Sequence, residues 1–278
     1  WTMQFVHEAI DIVRSSKGIL FDLDGVLWLG NRPIPGVAEV LQQLRDEGKK
    51  VMFVSNTSSR SKAKCLQVFE HMGVDVDPGE VFIASECAAR YIAAESPGAM
   101  TYVLGSAGLL DEARLAGLDA REPSGRRPEH ADYLIVGKDN DLTFARLTCA
   151  LRVLKMGARF VAVNCDPTVP AHDGLEPGAG AIAAAMSFMT GREPDVVVGK
   201  PGTLLLEMAL FSSELTPSEC VIIGDTPEAD IAAGNALGMR TVLVLSGNSE
   251  GVGGDDDHTY PAGMEPDAII RSVVELAW

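Results

Sequence analysis

An uninterrupted apolar run, Gly18-Ile19-Leu20-Phe21, stops abruptly at Asp22-Leu23-Asp24-Gly25. Continuous apolar residues bounded by a turn signal describe a strand covered on both faces, and such strands belong to parallel sheets wrapped by helices. Open α/β sheets carry their reactive groups outside the carboxyl ends of the strands, so two carboxylates emerging there mark the edge where chemistry is expected. Gly25 supplies the backbone freedom for an immediate turn.

The pattern then repeats. Val37, Val40, Leu41 and Leu44 share one helical face over 37–47, Gly48 stops that helix, and the apolar run Val51-Met52-Phe53-Val54 ends at Ser55-Asn56-Thr57. Ser58 or Ser59 reads as the cap of a helix reaching about residue 71, Val81-Phe82-Ile83 as a third strand, and 86–95 as a further helix. This β-α-β-α-β-α order predicts a parallel sheet with right-handed crossovers.

Ser96-Pro97-Gly98 is a turn and a boundary. Short strands at 101–104, 133–136 and 160–163, with helices between, predict a second α/β unit in which 121–130 is an exposed loop. From Asp195 the first pattern resumes, with strands at 196–198, 221–223 and 241–245 and helices at 202–211 and 228–237. The expected fold is therefore α/β: a Rossmann-like parallel-sheet core from residues 1–97 and 190–278, interrupted by an inserted α/β domain at 98–189.

Smaller features fit around this frame. Phe5, Val6, Ile10 and Val13 predict an N-terminal helix over 3–14, without an assigned role, and Gly30-Asn31 predicts a hairpin flap beside the aspartates. Trp28 reads equally as lining the mouth of that site or as packed within the flap. The 251–266 stretch lacks periodicity and reads as a solvated loop, since three adjacent aspartates, Asp255 to Asp257, cannot all face one ion.

Charge narrows the partners. With 39 acidic and 23 basic residues, a formal charge of -16 argues against nucleic acid and anionic membranes. No run approaches the roughly 18 apolar residues of a membrane span, and neither a leader nor an anchor is expected, so the sequence reads as a soluble, cytoplasmic chain. The five cysteines form no C-x-x-C pair and read as reduced, packed thiols.

The strand ends define the chemistry. Asp22 and Asp24 follow the first strand, Ser55 the second, Lys200 the strand after the insertion, and Gly224-Asp225 the next. In a parallel sheet these positions converge on one crevice. Each has a plainer reading: Ser55 or Ser58 as a helix cap, Lys200-Pro201 as a surface lysine before a helix start, and Asp230 as a solvated first-turn acid. Asp22 and Asp24 resist such a reading, because acids after a buried strand require partners or a metal.

On the segments FDLDGVLWLG, FVSNTSSR, VVVGKPG and IIGDTPEADI in the core, and YVLGSAGL, VNCDPTVP and LEPGAGAI in the insertion, the chain resembles the haloacid-dehalogenase superfamily. The likeness runs nearly end to end and is to the phosphatase branch holding nucleotidase-like, 4-nitrophenylphosphatase, phosphoglycolate phosphatase and pyridoxal phosphatase enzymes. It implies Asp22 as nucleophile, Asp24 as general acid and base, Ser55 as phosphoryl ligand and Lys200 as neutralising cation. It further implies a Mg²⁺ site of Asp22, the Asp24 carbonyl and Asp225, supported by Asp230. The insertion becomes a substrate-selecting cap in which Asp141, Asn164 and Asp166 read the leaving group, though each is also a common loop-forming residue type. Two copies of the chain are expected to pair through the cap.

Physical chemistry supports these implied roles. A carboxylate approaching a phosphate meets repulsion of about 4 kcal/mol per unit charge pair at about 4 Å and an effective dielectric of about 20, so a cation is required. Hard oxygen donors with a phosphate oxygen suit Mg²⁺, and Ser55-Asn56-Thr57, read as leading into a helix N-terminus, offers hydroxyl and backbone donors to phosphate. The substrate expected is a small phosphate ester of the nitrophenyl phosphate or phosphoglycolate kind. Carbon-halogen hydrolysis is the alternative chemistry, but it needs neither Asp24 nor a metal. A retired phosphate-binding regulator is the third reading, opposed by the complete set of core groups.

Overall fold

The computed structural model describes residues 3–30, 32–124, 127–171, 174–247 and 260–278. Expectations for Asn31 and for Asp255 to Asp257 lie outside the described residues. The chain divides into two compact units, one of 1–55, 66–82 and 200–278, the other of 56–65 and 83–199.

The first unit is built on a six-stranded sheet in the order Ala268–Ile270, Arg240–Val244, Cys220–Gly224, Gly18–Phe21, Lys50–Ser55, Val81–Ile83. Gly18–Phe21 lies at the centre and is buried throughout, as its unbroken apolar run requires. It pairs in parallel with both neighbours, Phe21 standing opposite Ile223 on one side and Phe53 on the other. The Val37–Asp46 helix buries Val37, Val40, Leu41 and Leu44, the face read from the sequence. The N-terminal helix, Met3–Ser15, packs on the Ala268–Ile270 edge strand. The flap forms as a short hairpin of Trp28–Leu29 and Arg32–Pro33.

The second unit carries a five-stranded parallel sheet in the order Val196–Val197, Arg159–Ala162, Tyr133–Val136, Met100–Leu104, Asp119–Arg121. Its helices Phe144–Lys155 and Ala179–Thr190 cover a core that includes Leu134, Val153, Phe160 and Met186. Among the described residues no helix is long and apolar enough to cross a membrane. Cys65, Cys87, Cys149 and Cys220 are buried free thiols and Cys165 is exposed.

Four expectations are corrected. The strand at 196 does not rejoin the first sheet: Val196 and Val197 pair with Val161 and Ala162 at the edge of the second, where two half-buried valines suffice. The helix after Ser55 begins at Lys62, not at Ser58 or Ser59. Those hydroxyl-rich residues are used otherwise, Ser58 Oγ accepting from the Lys138 amide at 3.1 Å and Thr57 Oγ1 from the Arg60 amide at 3.3 Å, while the Ser61 carbonyl receives the first helical amides. Arg121 ends a strand and does not open the loop, held by Asp119 of that strand at 2.8 Å. Finally, the helix expected over 228–237 opens as the π-helical turn Pro227–Ile231 and is α-helical only over Ala232–Leu237.

Candidate active site

The ladder sets Asp22 where it is needed. Its amide donates to the Ile223 carbonyl at 2.9 Å, so pairing persists until the carboxylate leaves the strand end. Ser55 and Asp225 leave the two flanking strands at the same level, since Phe53 and Ile223 are both in register with Phe21. All three are buried, as are Lys200 and Asp230, each at 1 % exposure.

Lys200 is the hub. Its Nζ donates to Asp22 Oδ1 at 2.7 Å, to Asp230 Oδ1 at 2.5 Å and to the Val54 carbonyl at 3.4 Å. Asp230 is aimed by the Pro227–Ile231 turn, which is wound as a π-helix; its Oδ2 accepts from the Thr226 amide at 3.1 Å. Thr226 also donates its hydroxyl to Asp225 Oδ1 at 2.9 Å, so a single residue between the two acids fixes both.

One ammonium thus bonds two carboxylates, with the third, Asp225, close by. Burial pushes the Asp22 carboxyl well above its usual range; Lys200 pulls it back, and Asp230 and Asp225 push it up again. For Lys200, burial favours the neutral amine, but the charges of Asp22 and Asp230 and their hydrogen bonds outweigh it and hold the ammonium. Burial is thus the main cause for Asp22, and the two bonded carboxylates are what hold Lys200 charged.

The donor set fits a hard divalent cation. Asp22, Asp225 and Asp230 each present a carboxylate oxygen, all within 4.8 Å of one another and all buried. Oxygen ligands in a buried, net anionic setting suit Mg²⁺, which bonds one or two carboxylates and keeps waters for the rest.

Asp225 has no room to move. A Cβ on Gly25 would lie 2.1 Å from Asp225 Oδ2, and one on Gly247 would lie 2.0 Å from it. Gly25 also turns at φ +86°, and the Ser246 hydroxyl donates to its carbonyl at 2.6 Å, tying the two glycine segments together around the carboxylate. Gly247→Ala is therefore expected to displace Asp225 and to destabilise the chain by about 1–3 kcal/mol, the usual range for overpacking. Urea denaturation of the purified variant measures this, and an unchanged midpoint would show that the cradle yields.

The remaining predicted residues fall into two further groups, both in the second unit. The Asn56 amide donates to Asp166 Oδ1 at 3.0 Å and Oδ2 at 3.2 Å; Asn164 donates to the Asn56 carbonyl at 2.5 Å and accepts from the Asp166 amide at 3.1 Å. Thr57 sits beside this net, its carbonyl accepting from the Ser85 amide at 3.3 Å. Asp141 is exposed on a separate loop. That loop is organised by Asp139, which accepts from the Asp141 amide at 3.0 Å and pairs with Arg146 at 2.8 Å.

Asp24 is half-buried, and its Oδ1 accepts from the Trp28 indole Nε1 at 3.0 Å. Sequence reading singled out neither Thr226, Asp139 nor Gly247, and it left Trp28 open between mouth and packing. A hydroxyl directly after Asp225 and an N–H donor four residues after Asp24 are the signals that were available.

Fold and site together define a parallel α/β enzyme with an aspartate-rich centre around one buried lysine. Residues 19–119 match the family described as haloacid dehalogenase-like hydrolase, and residues 197–276 match a second HAD-hydrolase-like model. The sugar-phosphatase AraL of Bacillus subtilis is 35% identical over 86% of this chain and 87% of its own length. Among solved structures, a p-nitrophenyl phosphatase from Archaeoglobus fulgidus superposes with a TM-score of 0.86 at 38% identity, covering 94% of this chain and 98% of that one. The glycerol phosphate phosphatase Rv1692 of Mycobacterium tuberculosis, solved in complex with magnesium, gives a TM-score of 0.80 at 28% identity over 95% of this chain and 77% of that one. The chain belongs to the haloacid dehalogenase-like hydrolases, and within them to the phosphatases, which hydrolyse phosphoric monoesters.

Proposed function

We infer that the protein is a Mg²⁺-dependent phosphatase of small phosphorylated metabolites that works through an aspartyl-phosphate on Asp22. The observation that carries this reading is the Lys200 ammonium held between Asp22 and Asp230 in a pocket that retains an excess of carboxylate. Such a pocket is completed by a divalent cation and a substrate whose own oxygens the cations bind.

An oxygen of Asp22 attacks phosphorus while the ester P–O bond breaks and Asp24 gives its proton to the departing oxygen. Water then attacks the phosphorus of the acyl phosphate, Asp24 takes the proton, and the Asp22 carboxylate is released with inorganic phosphate. Lys200 balances charge on the phosphoryl oxygens, and Ser55, with Asn56 and Thr57 beyond it, donates to them. Asp22, Asp225 and the Asp24 carbonyl would hold Mg²⁺, with Asp230 in support, and the ion supplies Lewis-acid neutralisation of the phosphate.

Catalysis is assigned to residues 1–97 and 190–278, and leaving-group selection to 98–189 through Asp141, Asn164 and Asp166. Sugar phosphates, glycerol phosphate and nitrophenyl phosphate, the substrates named for the relatives, are the first to test, with phosphoglycolate beside them. The reading includes action in the cytoplasm and pairing of two copies through the inserted segment. Phosphate release from this panel, with Mg²⁺ and then with excess EDTA, tests the function. Turnover that collapses in EDTA and returns with Mg²⁺ is expected; turnover indifferent to EDTA, or none on any substrate, would overturn it.

A further inference from the structure

We propose that Trp28 is a positioning residue, whose buried indole N–H fixes the carboxylate of Asp24 in the orientation from which it exchanges protons with the ester oxygen. The proposal rests on the assignment of Asp24 as general acid and base.

The geometry begins with burial. Trp28 is fully buried, and an indole N–H removed from water needs an acceptor. The acceptor is Asp24 Oδ1 at 3.0 Å, four residues back across the turn. That turn is closed twice: the Gly25 amide donates to the Trp28 carbonyl at 2.8 Å, and the Leu27 amide to the Leu23 carbonyl at 2.9 Å. The indole and the carboxylate are therefore presented to each other by a rigid backbone.

The ring is held from behind as well. Trp28 meets Phe69 edge-on at 5.2 Å, Phe69 meets Phe53 at 4.5 Å, and Phe53 stacks with Phe21 at 6.4 Å, the residue preceding Asp22. An aromatic train thus anchors both aspartates to one packed core. Asp24 is half-exposed, and a half-exposed carboxylate on a turn has several rotamers open to it. A fixed donor on Oδ1 favours the one that the Trp28 indole can reach. Proton transfer needs hydrogen-bond reach and alignment, so a small loss of orientation is felt in the rate.

Leaving-group dependence separates this role from simple packing. Nitrophenolate departs without a proton, whereas an alkoxide needs one. In Trp28→Phe, kcat/KM for glycerol phosphate, which reports the step in which the leaving group departs, is expected to fall about tenfold and for 4-nitrophenyl phosphate about threefold or less. Site-specific exchange of Trp28 for its benzothiophene isostere, which keeps the volume and lacks the N–H, is expected to give the same split and guards against a poorly folded phenylalanine variant. In ¹⁵N spectra, the indole resonance that vanishes in Trp28→Phe is expected to shift in Asp24→Asn.

Equal kcat/KM losses on the two substrates, no loss with the isostere, or an indole resonance indifferent to Asp24→Asn would each overturn the positioning role. Wild-type kcat in Asp24→Asn would instead overturn the assignment of Asp24 itself, which the indole resonance tests independently of turnover.

Discussion

Asp22→Asn is expected to abolish turnover, with kcat reduced by at least about 10⁴-fold, because an amide cannot attack phosphorus to form the acyl phosphate. The fold should survive. Lys200 keeps Asp230 as a partner at 2.5 Å, and a neutral amide escapes the burial cost, and the lesser repulsion from Asp230 and Asp225, that drive the Asp22 carboxyl upward. Acid-quenched protein incubated with labelled substrate should carry phosphate in the wild type and none in the variant, at equal circular dichroism. Substantial residual kcat would place the nucleophile elsewhere.

Lys200→Met is the second large effect, and it is one of stability as well as rate. The ammonium is fully buried and directly bonded to two buried carboxylates. Removing it strands both, and breaking a buried pair from one side costs about 3–5 kcal/mol. Arginine is not a substitute, because its planar fork does not fit a cavity shaped for a point charge. Adding Asp230→Asn to Lys200→Met is expected to restore part of the loss, since it removes one stranded charge. Denaturant unfolding of the three proteins in EDTA measures these differences. An unchanged midpoint for Lys200→Met would mean that the carboxylates take up protons or water without cost.

The frame of this molecule was legible where burial was complete. Gly18 to Phe21, Val51 to Val54 and Val221 to Ile223 are unbroken apolar runs ended by a polar residue, and each is a strand whose end carries a site residue. The same logic failed at Val196. Two valines read alike in either sheet, and only pairing with Val161 and Ala162 decides between them. The exposed hairpin of Thr168–Ala171 and Gly174–Pro177 was hidden because Pro170 and Pro177 argue against strands wherever a ladder bond is needed.

Side-chain partnerships were the least readable. Ser58 looks like a helix cap in sequence and instead accepts from Lys138, 80 residues away. Asp141 was chosen from its loop, while its neighbour Asp139 does the holding through Arg146. Asp22 stood out because a charge at the end of a buried strand has few alternatives, whereas Lys200 and Asp230 each had a plainer surface reading and were singled out through the family resemblance. Trp28 was left undecided because whether its N–H meets Asp24 depends on the turn between them, and Gly25 allows many turns.

The central strand has a consequence for the order in which the enzyme comes into being. Asp22 is synthesised 178 residues before the lysine that neutralises it, and the register that aligns it with Asp225 joins Gly18 to Cys220. During synthesis Asp22 therefore exists without its counter-charge or its third strand until at least those 178 residues have been made. The apolar Gly18–Phe21 segment can wait against Lys50–Ser55, but the site itself is assembled only once the segment carrying Lys200, Asp225 and Asp230 has followed. Activity is in that sense a certificate of completion: a chain cut before Lys200 carries the Asp-x-Asp pair and Ser55 without the lysine and the two further acids that surround them.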